Sequence, residues 1–147
     1  MKINQAQQIF GVVIISSGLS ISADIVGCLS KQEAFSVLDI CRNAVTGLKT
    51  ITSRRPDLVF IVAPLPDRMV TYVIKEAKRR QPHARIILVA DWTEFAGFAR
   101  ANQKGADGFI STNLLPKELP LVLAQYSSLR STWGTQFSPW KARYGMA

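Results

Sequence analysis

The fold is indicated most clearly by the stretch Arg55-Pro56-Asp57-Leu58-Val59-Phe60-Ile61-Val62-Ala63-Pro64-Leu65-Pro66. Within it, Leu58–Val62 is a short, unbroken apolar run, which is typical of a strand buried on both faces of a sheet. Pro56 ends the preceding helix, because proline lacks a backbone N–H and disfavours helical geometry in the residue before it. Pro64 and Pro66 exclude both a helix and a ladder interior. The stretch therefore predicts a helix end, a buried strand and a loop leaving the carboxyl end of that strand.

The same alternation extends in both directions along the chain. Four more short apolar runs predict strands: Phe10–Ile15, Ala34–Ile40, Ile86–Val89 and Gly108–Ser111. Stretches with apolar residues three and four apart predict helices: Leu19–Ser30, Ala44–Arg55, Met69–Gln81, Glu94–Lys104, and Pro116 to about Ser128. Such alternation with right-handed crossovers gives an α/β, doubly wound parallel sheet with helices on both faces. Five successive strand–helix units favour a flavodoxin-like sheet with strand order 2-1-3-4-5.

Length and composition indicate one globular domain. The chain has 147 residues, 48% of them hydrophobic, and its apolar runs are far shorter than the ~20 residues of a membrane span. The first residues lack the pattern of a signal peptide, so we expect a cytoplasmic protein without a membrane partner. Cys28 and Cys41 are expected to be core residues, with a disulfide or redox switch as the alternative. With His83 as the single histidine and no Cys-x-x-Cys, neither a zinc site nor any cofactor is predicted.

The net charge of +8 is the compositional oddity. The densest basic group, spread over the third predicted helix and just beyond it, comprises Lys75, Lys78, Arg79, Arg80 and Arg85. This group fits either a solvated helix face or a binding surface for an acidic partner or nucleic acid. We do not expect nucleic-acid binding by this chain alone.

Several motifs resemble the receiver domains of two-component response regulators. The stretch 55–66 is similar to the family's third strand, in which "RPDLVLLD" is followed by three residues and a proline. Residues 84–90 and 101–109 resemble the fourth strand and the "GADGYL" entry to the fifth, and residues 115–119 resemble the start of the fifth helix. The resemblance is strongest to NarL/FixJ-like receivers. It implies a receiver-like domain over residues 8–130, followed by a tail or linker start over 131–147.

The resemblance also shows which residues the phosphorylation pocket lacks. The family places two Mg²⁺-binding acids after strand one, a phospho-accepting Asp after strand three, a Thr or Ser after strand four and a Lys after strand five. The corresponding positions carry Ser16, Ser17, Val62, Ala90 and Thr112, and the switch aromatic is Phe109.

Phosphoryl transfer to a carboxylate needs a nucleophile and a hard cation held by oxygen ligands. Val62 is no nucleophile, and the serine hydroxyls are too weak to hold Mg²⁺ without a carboxylate. The sequence therefore predicts a degenerate pseudo-receiver with no catalytic residue, no metal and no enzymatic activity. Asp67 and Asp91 also fall near the carboxyl edge of the sheet, with ordinary loop roles or a rewired acid site as the alternatives.

Two functions stay open. The first is a phosphorylation-independent pseudo-receiver that acts in signalling through protein contacts, unless the pocket reflects drift in an inactive copy. The second is the N-terminal regulatory or dimerisation domain of a DNA-binding response regulator whose helix-turn-helix output domain is absent from this chain. The second is favoured by Phe137-Ser138-Pro139, which resembles the start of the subfamily's linker helix.

The resemblance implies an interaction face formed by the fourth helix, the fifth strand and the fifth helix. This face would bind an unknown protein partner or a second copy of the chain. Phe95 and Phe98 are also compatible with a core position at their helical spacing. The candidate residues besides Phe109 are Phe95, Phe98, Arg100, Asn102, Lys104, Lys117 and Tyr126.

Overall fold

Five parallel strands form one sheet in the order β2-β1-β3-β4-β5 in the computed structural model, which describes residues 8–91 and 105–128. The strands are β1 (Phe10–Ile15), β2 (Phe35–Cys41), β3 (Leu58–Val62), β4 (Arg85–Ala90) and β5 (Gly108–Ser111). The helices are α1 (Leu19–Leu29), α2 (Ala44–Arg54), α3 (Val70–Arg80) and α4 (Leu115–Ser128), with a 3-10 turn at Thr112–Leu114. The predicted flavodoxin-like fold class is confirmed. The helix predicted over 94–104 lies outside the described residues.

The centre of the sheet is the core that the sequence predicted. All five residues of β3 are buried, and its neighbours β1 and β4 are buried along nearly their whole length. β2 departs from the prediction of strands buried on both faces, because its middle residues are half-buried or exposed. It is an edge strand with a single neighbour, so its outer side lacks the cover that the central strands have.

The helices form two layers. α1 packs beside α4, and α2 packs beside α3. Right-handed crossovers in opposite directions along the sheet place these two pairs on opposite faces. Within the described ranges, every helix is too short or too polar to cross a membrane.

An aromatic cluster closes the core near the amino edge of the sheet. The Tyr126 ring from α4 lies edge-on to Phe10, with ring centroids 5.1 Å apart, and 5.9 Å from Phe35. Its hydroxyl donates to the Asp57 carbonyl at 3.2 Å. Tyr126 is a candidate for the interaction face, but the helical spacing also places it inward. It is only 2% exposed, so the inward position is confirmed and its ring is not available on that face. Its apolar ring is needed to fill the space between α4 and two strands.

Two aspartates accept backbone hydrogen bonds from the first residues of strands at the amino edge of the sheet. The Asp57 carboxylate accepts from the Gly11 N–H at 2.8 Å. The Asp107 carboxylate accepts from the Ile86 N–H at 2.8 Å and pairs with Lys78 at 3.0 Å and Arg85 at 3.4 Å. Both aspartates belong to the segments that resemble receivers, and both join chain segments that are distant in sequence.

The two cysteines are free thiols in different environments. Cys41 is buried at the end of β2, and its Sγ lies 3.4 Å from the Thr50 hydroxyl. Cys28 is half-buried on α1, so the expectation of a core position holds fully for Cys41 and partly for Cys28. Burial raises the pKa of both thiols, which disfavours the reactive thiolate.

Candidate functional site

The structure brings the five predicted pocket positions to one edge of the sheet. Ser16 follows β1, Val62 ends β3, Ala90 ends β4 and Thr112 follows β5. The strand register pairs Val62 with Val89 and Ala90 with Ser111, so neighbouring strands end at one level. Since the carboxyl edge of a doubly wound sheet is where such folds bind ligands, this edge is the candidate site.

The loop after β1 contains hydroxyls in place of carboxylates. Ser16 is fully buried, and its hydroxyl lies 3.2 Å from both the carbonyl oxygen and the backbone N–H of Gly18. Its own N–H donates to the Cys41 carbonyl at 2.8 Å. Ser17 is exposed. The Ser16 side chain therefore supports the turn into α1 and supplies no negative charge for a cation.

Apolar side chains occupy the ends of β3 and β4 at this site. Val62 is 4% exposed and Ala90 is completely buried. The backbone just beyond Val62 continues the ladder, since the Ala63 N–H donates to the Val89 carbonyl at 2.9 Å. No nucleophilic atom is present at the position where the resemblance places the phospho-accepting carboxylate.

Thr112 replaces the lysine that the resemblance implies after strand five. Its hydroxyl donates to the Asp91 carboxylate at 2.6 Å, which joins the ends of β4 and β5. Asp91 is exposed and Thr112 is half-buried. The pair is a surface hydrogen bond between two neighbouring strand ends.

Asp67 stabilises the amino end of α2 from a different loop. Its two carboxylate oxygens accept from the Ala44 N–H at 2.8 Å and the Val45 N–H at 3.0 Å, and Asn43 accepts from the Thr46 N–H at 2.9 Å. The hydrogen bonds from Ala44, which has the largest effect, and from Val45 lower the pKa of the Asp67 carboxyl below its ordinary value. A carboxylate at a helix amino end is also favoured by the helix dipole.

Asp67 and Asp91 both border an open depression of about 530 Å³ beside the loop 63–70. Each carboxylate is already hydrogen-bonded to the protein, one to α2 and the other to Thr112. Within residues 8–91 and 105–128, no three His, Cys, Asp or Glu side chains are grouped so that they could hold a metal ion. The geometry favours structural roles for both acids over a rewired acid site.

Phe109 points into the core from β5. It is 2% exposed and pairs in register with Leu88 of β4. Lys117 is exposed on α4. The other candidate interface residues, Phe95, Phe98, Arg100, Asn102 and Lys104, lie outside the described residues.

The basic group on α3 is divided between two roles. Lys75 and Arg79 are exposed, as expected for a solvated or binding face. Lys78 differs, because its amino group pairs with Asp107 at 3.0 Å and donates to the Ala84 carbonyl at 2.6 Å. Lys78 therefore does not belong to a solvated face. The helical spacing that groups these residues does not reveal the Asp107 carboxylate, which reaches Lys78 from the entrance to β5.

No protein-family model matches the chain, and no curated protein matches it in sequence. Solved structures match it closely in fold. The signal receiver domain of the response regulator NarL from Mycobacterium tuberculosis superposes with a TM-score of 0.75 at 20% identity, covering 84% of this chain and 99% of that domain. The isolated receiver domain of RcsB from Salmonella enterica, solved with the phosphomimetic BeF3⁻, gives 0.78 at 18% identity, covering 90% and 94%. A longer RcsB structure from Salmonella typhimurium, described for its conformational dynamism in DNA interaction, gives 0.79 at 18% identity, covering 95% of this chain and 66% of that one.

These structural neighbours are response regulators or their receiver domains. The chain therefore has the receiver fold. At these identities the likeness concerns the fold, and it assigns no pocket chemistry to the chain.

Proposed function

We propose that this protein is a pseudo-receiver that acts in signal transduction through protein contacts and independently of phosphorylation. The fold supports the signalling part of this proposal, because the matching structures are receiver domains of response regulators. The chemistry of the carboxyl edge supports the phosphorylation-independent part.

The observation that carries the proposal is the burial of Val62 at the end of β3. A receiver places its phospho-accepting carboxylate here, and acyl phosphate formation requires an attacking oxygen. Ser16 and Ser17 add no carboxylate for Mg²⁺, which binds through carboxylates and phosphate oxygens. Nucleophile and cation site are thus lost together, whereas the sheet that supported them persists.

The same substitutions remove the parts that would respond to a phosphoryl group. Ala90 has no hydroxyl to be drawn toward a phosphate, and Phe109 has no phenol that would favour an outward position. A ligand shifts a conformational equilibrium only through different contacts with the two states. We infer that one conformation dominates and that its interaction surfaces are presented constitutively.

The test is incubation with acetyl phosphate and Mg²⁺, followed by measurement of the intact mass. We expect no phosphoryl adduct, whereas a receiver with intact acidic residues, treated in parallel, gains one. The variant Val62→Asp on its own is a matched control, because it restores an oxygen nucleophile without restoring the two acids after β1. A stable adduct on the unmodified chain contradicts the proposal.

A second candidate is the regulatory domain of a DNA-binding regulator. The observation that favours it is the match to the longer RcsB structure, of which this chain covers 66%. The coding sequence beyond Ala147 separates the candidates, because the second requires a helix-turn-helix region there.

For this chain alone we expect only weak binding to duplex DNA that vanishes by about 0.2 M salt. Sequence-selective binding would contradict that expectation.

A further inference from the structure

Three large apolar side chains are exposed at the amino ends of α2 and α3. Val45 is 42% exposed, Met69 75% and Tyr72 47%. They lie at one end of the helix pair, because Asp67, two residues before Met69, accepts from the Val45 N–H, and the Tyr72 N–H donates to the Met69 carbonyl. None of the three side chains is needed to cap a helix, since Asp67 and Asn43 satisfy the amides of α2.

The opposite end of the same two helices is basic. Glu76 is the single acid in the sequences of these two described helices, and it is paired with Arg79 at 2.9 Å and Arg80 at 3.5 Å. Basic residues near a helix carboxyl end are favoured by the helix dipole, which accounts for part of this pattern. Lys49 and Lys75 are exposed in the middle of their helices, where the dipole offers no such reason.

The apolar and basic parts belong to one continuous surface. Along α2, Val45 and Lys49 are four residues apart and therefore on one side of the helix. Along α3, Tyr72 and Arg79 are seven residues apart, about two turns, and also share a side. The two sides meet where the Arg80 guanidinium donates to the Thr52 hydroxyl at 3.3 Å. We call this surface the α2–α3 face. Val45, Met69 and Tyr72 form its apolar end, and its basic end extends from Lys49 and Lys75 in the middle of the helices to Arg79.

We propose that the α2–α3 face binds an amphipathic helix of another protein, with apolar side chains against the apolar end and acidic side chains against the basic end. Exposed tyrosine and methionine are typical anchors for such helices, and the lysines complement carboxylates. A nucleic-acid backbone would match the basic end alone, and Glu76 lies among its arginines. The proposal does not depend on the loss of phosphorylation, because it uses none of Ser16, Ser17, Val62, Ala90 and Thr112. Met69 does border the depression beside the loop 63–70.

The test uses the full chain and a synthetic fluorescent peptide. The peptide has Leu at positions three and four apart, with Glu and Ala elsewhere, and its control is a scrambled sequence of the same composition. We expect the amphipathic peptide to bind at least about tenfold more tightly than the scrambled one in fluorescence anisotropy. Equal binding of both peptides, or none, overturns the proposal.

Variants then locate the site. The double variant Met69→Ser/Tyr72→Ser and the double variant Lys49→Glu/Lys75→Glu should each weaken peptide binding at least about fivefold. The matched controls are Leu121→Ser, which removes an exposed apolar side chain on α4, and Lys31→Glu, which reverses an exposed charge just after α1. Circular dichroism and melting temperature establish that each variant is folded.

Two outcomes would reassign the face. In the first, the unmodified chain does not bind the peptide but binds duplex DNA or phosphatidylserine vesicles tightly, and the same variants abolish that binding. The partner is then an anionic backbone or a membrane, and the proposal is wrong. If peptide binding persists in both double variants and falls in a control variant, then the peptide binds elsewhere and the proposal is also wrong.

Discussion

At the scale of single residues, Asp57 and Asp107 stabilise the fold. Asp57 and Asp107 are part of the motifs that resemble receivers, yet they lie at the amino edge of the sheet, opposite the pocket. Each accepts a backbone N–H from a strand entrance, and that requirement is independent of phosphorylation. These structural roles make no use of the residues Ser16, Ser17 and Val62 at the opposite edge.

Replacement of Asp107 tests this structural role. Asp107→Ala removes the acceptor of the Ile86 N–H and leaves Lys78, with 21% of its side chain exposed, without its carboxylate partner. We expect the free energy of unfolding to fall by about 2–3 kcal/mol, as for a hydrogen bond to a charged group. Urea unfolding measures it, with Asp24→Ala on exposed α1 surface as the control that changes little. A loss as small as that of the control would contradict the assignment.

The cap that Asp67 provides should depend on pH. Its pKa is lowered in the folded state, so the carboxylate stabilises the fold above the ordinary value of about 3.9 and loses this effect as pH falls through the folded value. Asp67→Asn should therefore be less stable than the unmodified protein at pH 7. The difference should narrow in urea unfolding below about pH 4. A difference that stays constant with pH would show that charge has no part in the cap.

At the scale of elements, the sequence predicts the strands well because burial on both faces leaves an unbroken apolar run. Leu58–Val62 and Phe10–Ile15 begin and end at the predicted residues. The exposure of β2 was not predicted, because the sequence of a strand does not indicate whether another strand pairs with its outer side. Contacts between distant segments were also missed, including the cap of α2 by Asp67 and the pairing of Lys78 with Asp107. These depend on loop positions that local patterns leave undetermined.

For the candidate site too, the sequence predicts the location but not the contacts between distant segments. Its location at the carboxyl edge follows from the motifs, and Ser16, Val62, Ala90 and Thr112 do converge there. The hydrogen bond between Thr112 and Asp91 had no sequence signal, because the two residues are 21 positions apart and come from different strand ends.

Two glycines provide a matched test of local geometry. Gly105 has a φ of +115°, and an added Cβ would lie 2.6 Å from Cγ of Lys78. Gly105→Ala should therefore lower the free energy of unfolding by about 1–3 kcal/mol. Gly27 lies within α1, and an added Cβ there would meet nothing within 4 Å apart from its chain neighbours and the backbone of its own helix. Gly27→Ala should therefore raise the free energy of unfolding by about 0.5–1 kcal/mol. Thermal or urea unfolding of both variants checks the pair, and shifts of the same sign would contradict it.

At the scale of the whole molecule, the predicted interaction face formed by residues 94–104, β5 and α4 stays a prediction. Charge reversal at Arg100 or Lys104 should weaken self-association by about 1–3 kcal/mol if the contact is well packed, and by less if these charges lie on its rim. Lys78 does not suit as a control, because it is paired with Asp107. The control is Lys31→Glu, which reverses an exposed charge just after α1 and outside both interaction faces. Sedimentation at several concentrations measures the effect. A strictly monomeric protein whose partner binds all variants equally would contradict this face.

The most direct test of the central claim is an amide NMR spectrum recorded with and without beryllofluoride and Mg²⁺. A receiver that binds this phosphoryl mimic shifts the resonances around its pocket and along its switching face. We predict that the spectrum of this protein stays unchanged, because Val62 offers no oxygen and Ser16 and Ser17 hold no cation. Saturable shifts at Ser16, Val62, Ala90 and Thr112 would contradict the account, since they would show that the carboxyl edge still binds a phosphoryl group.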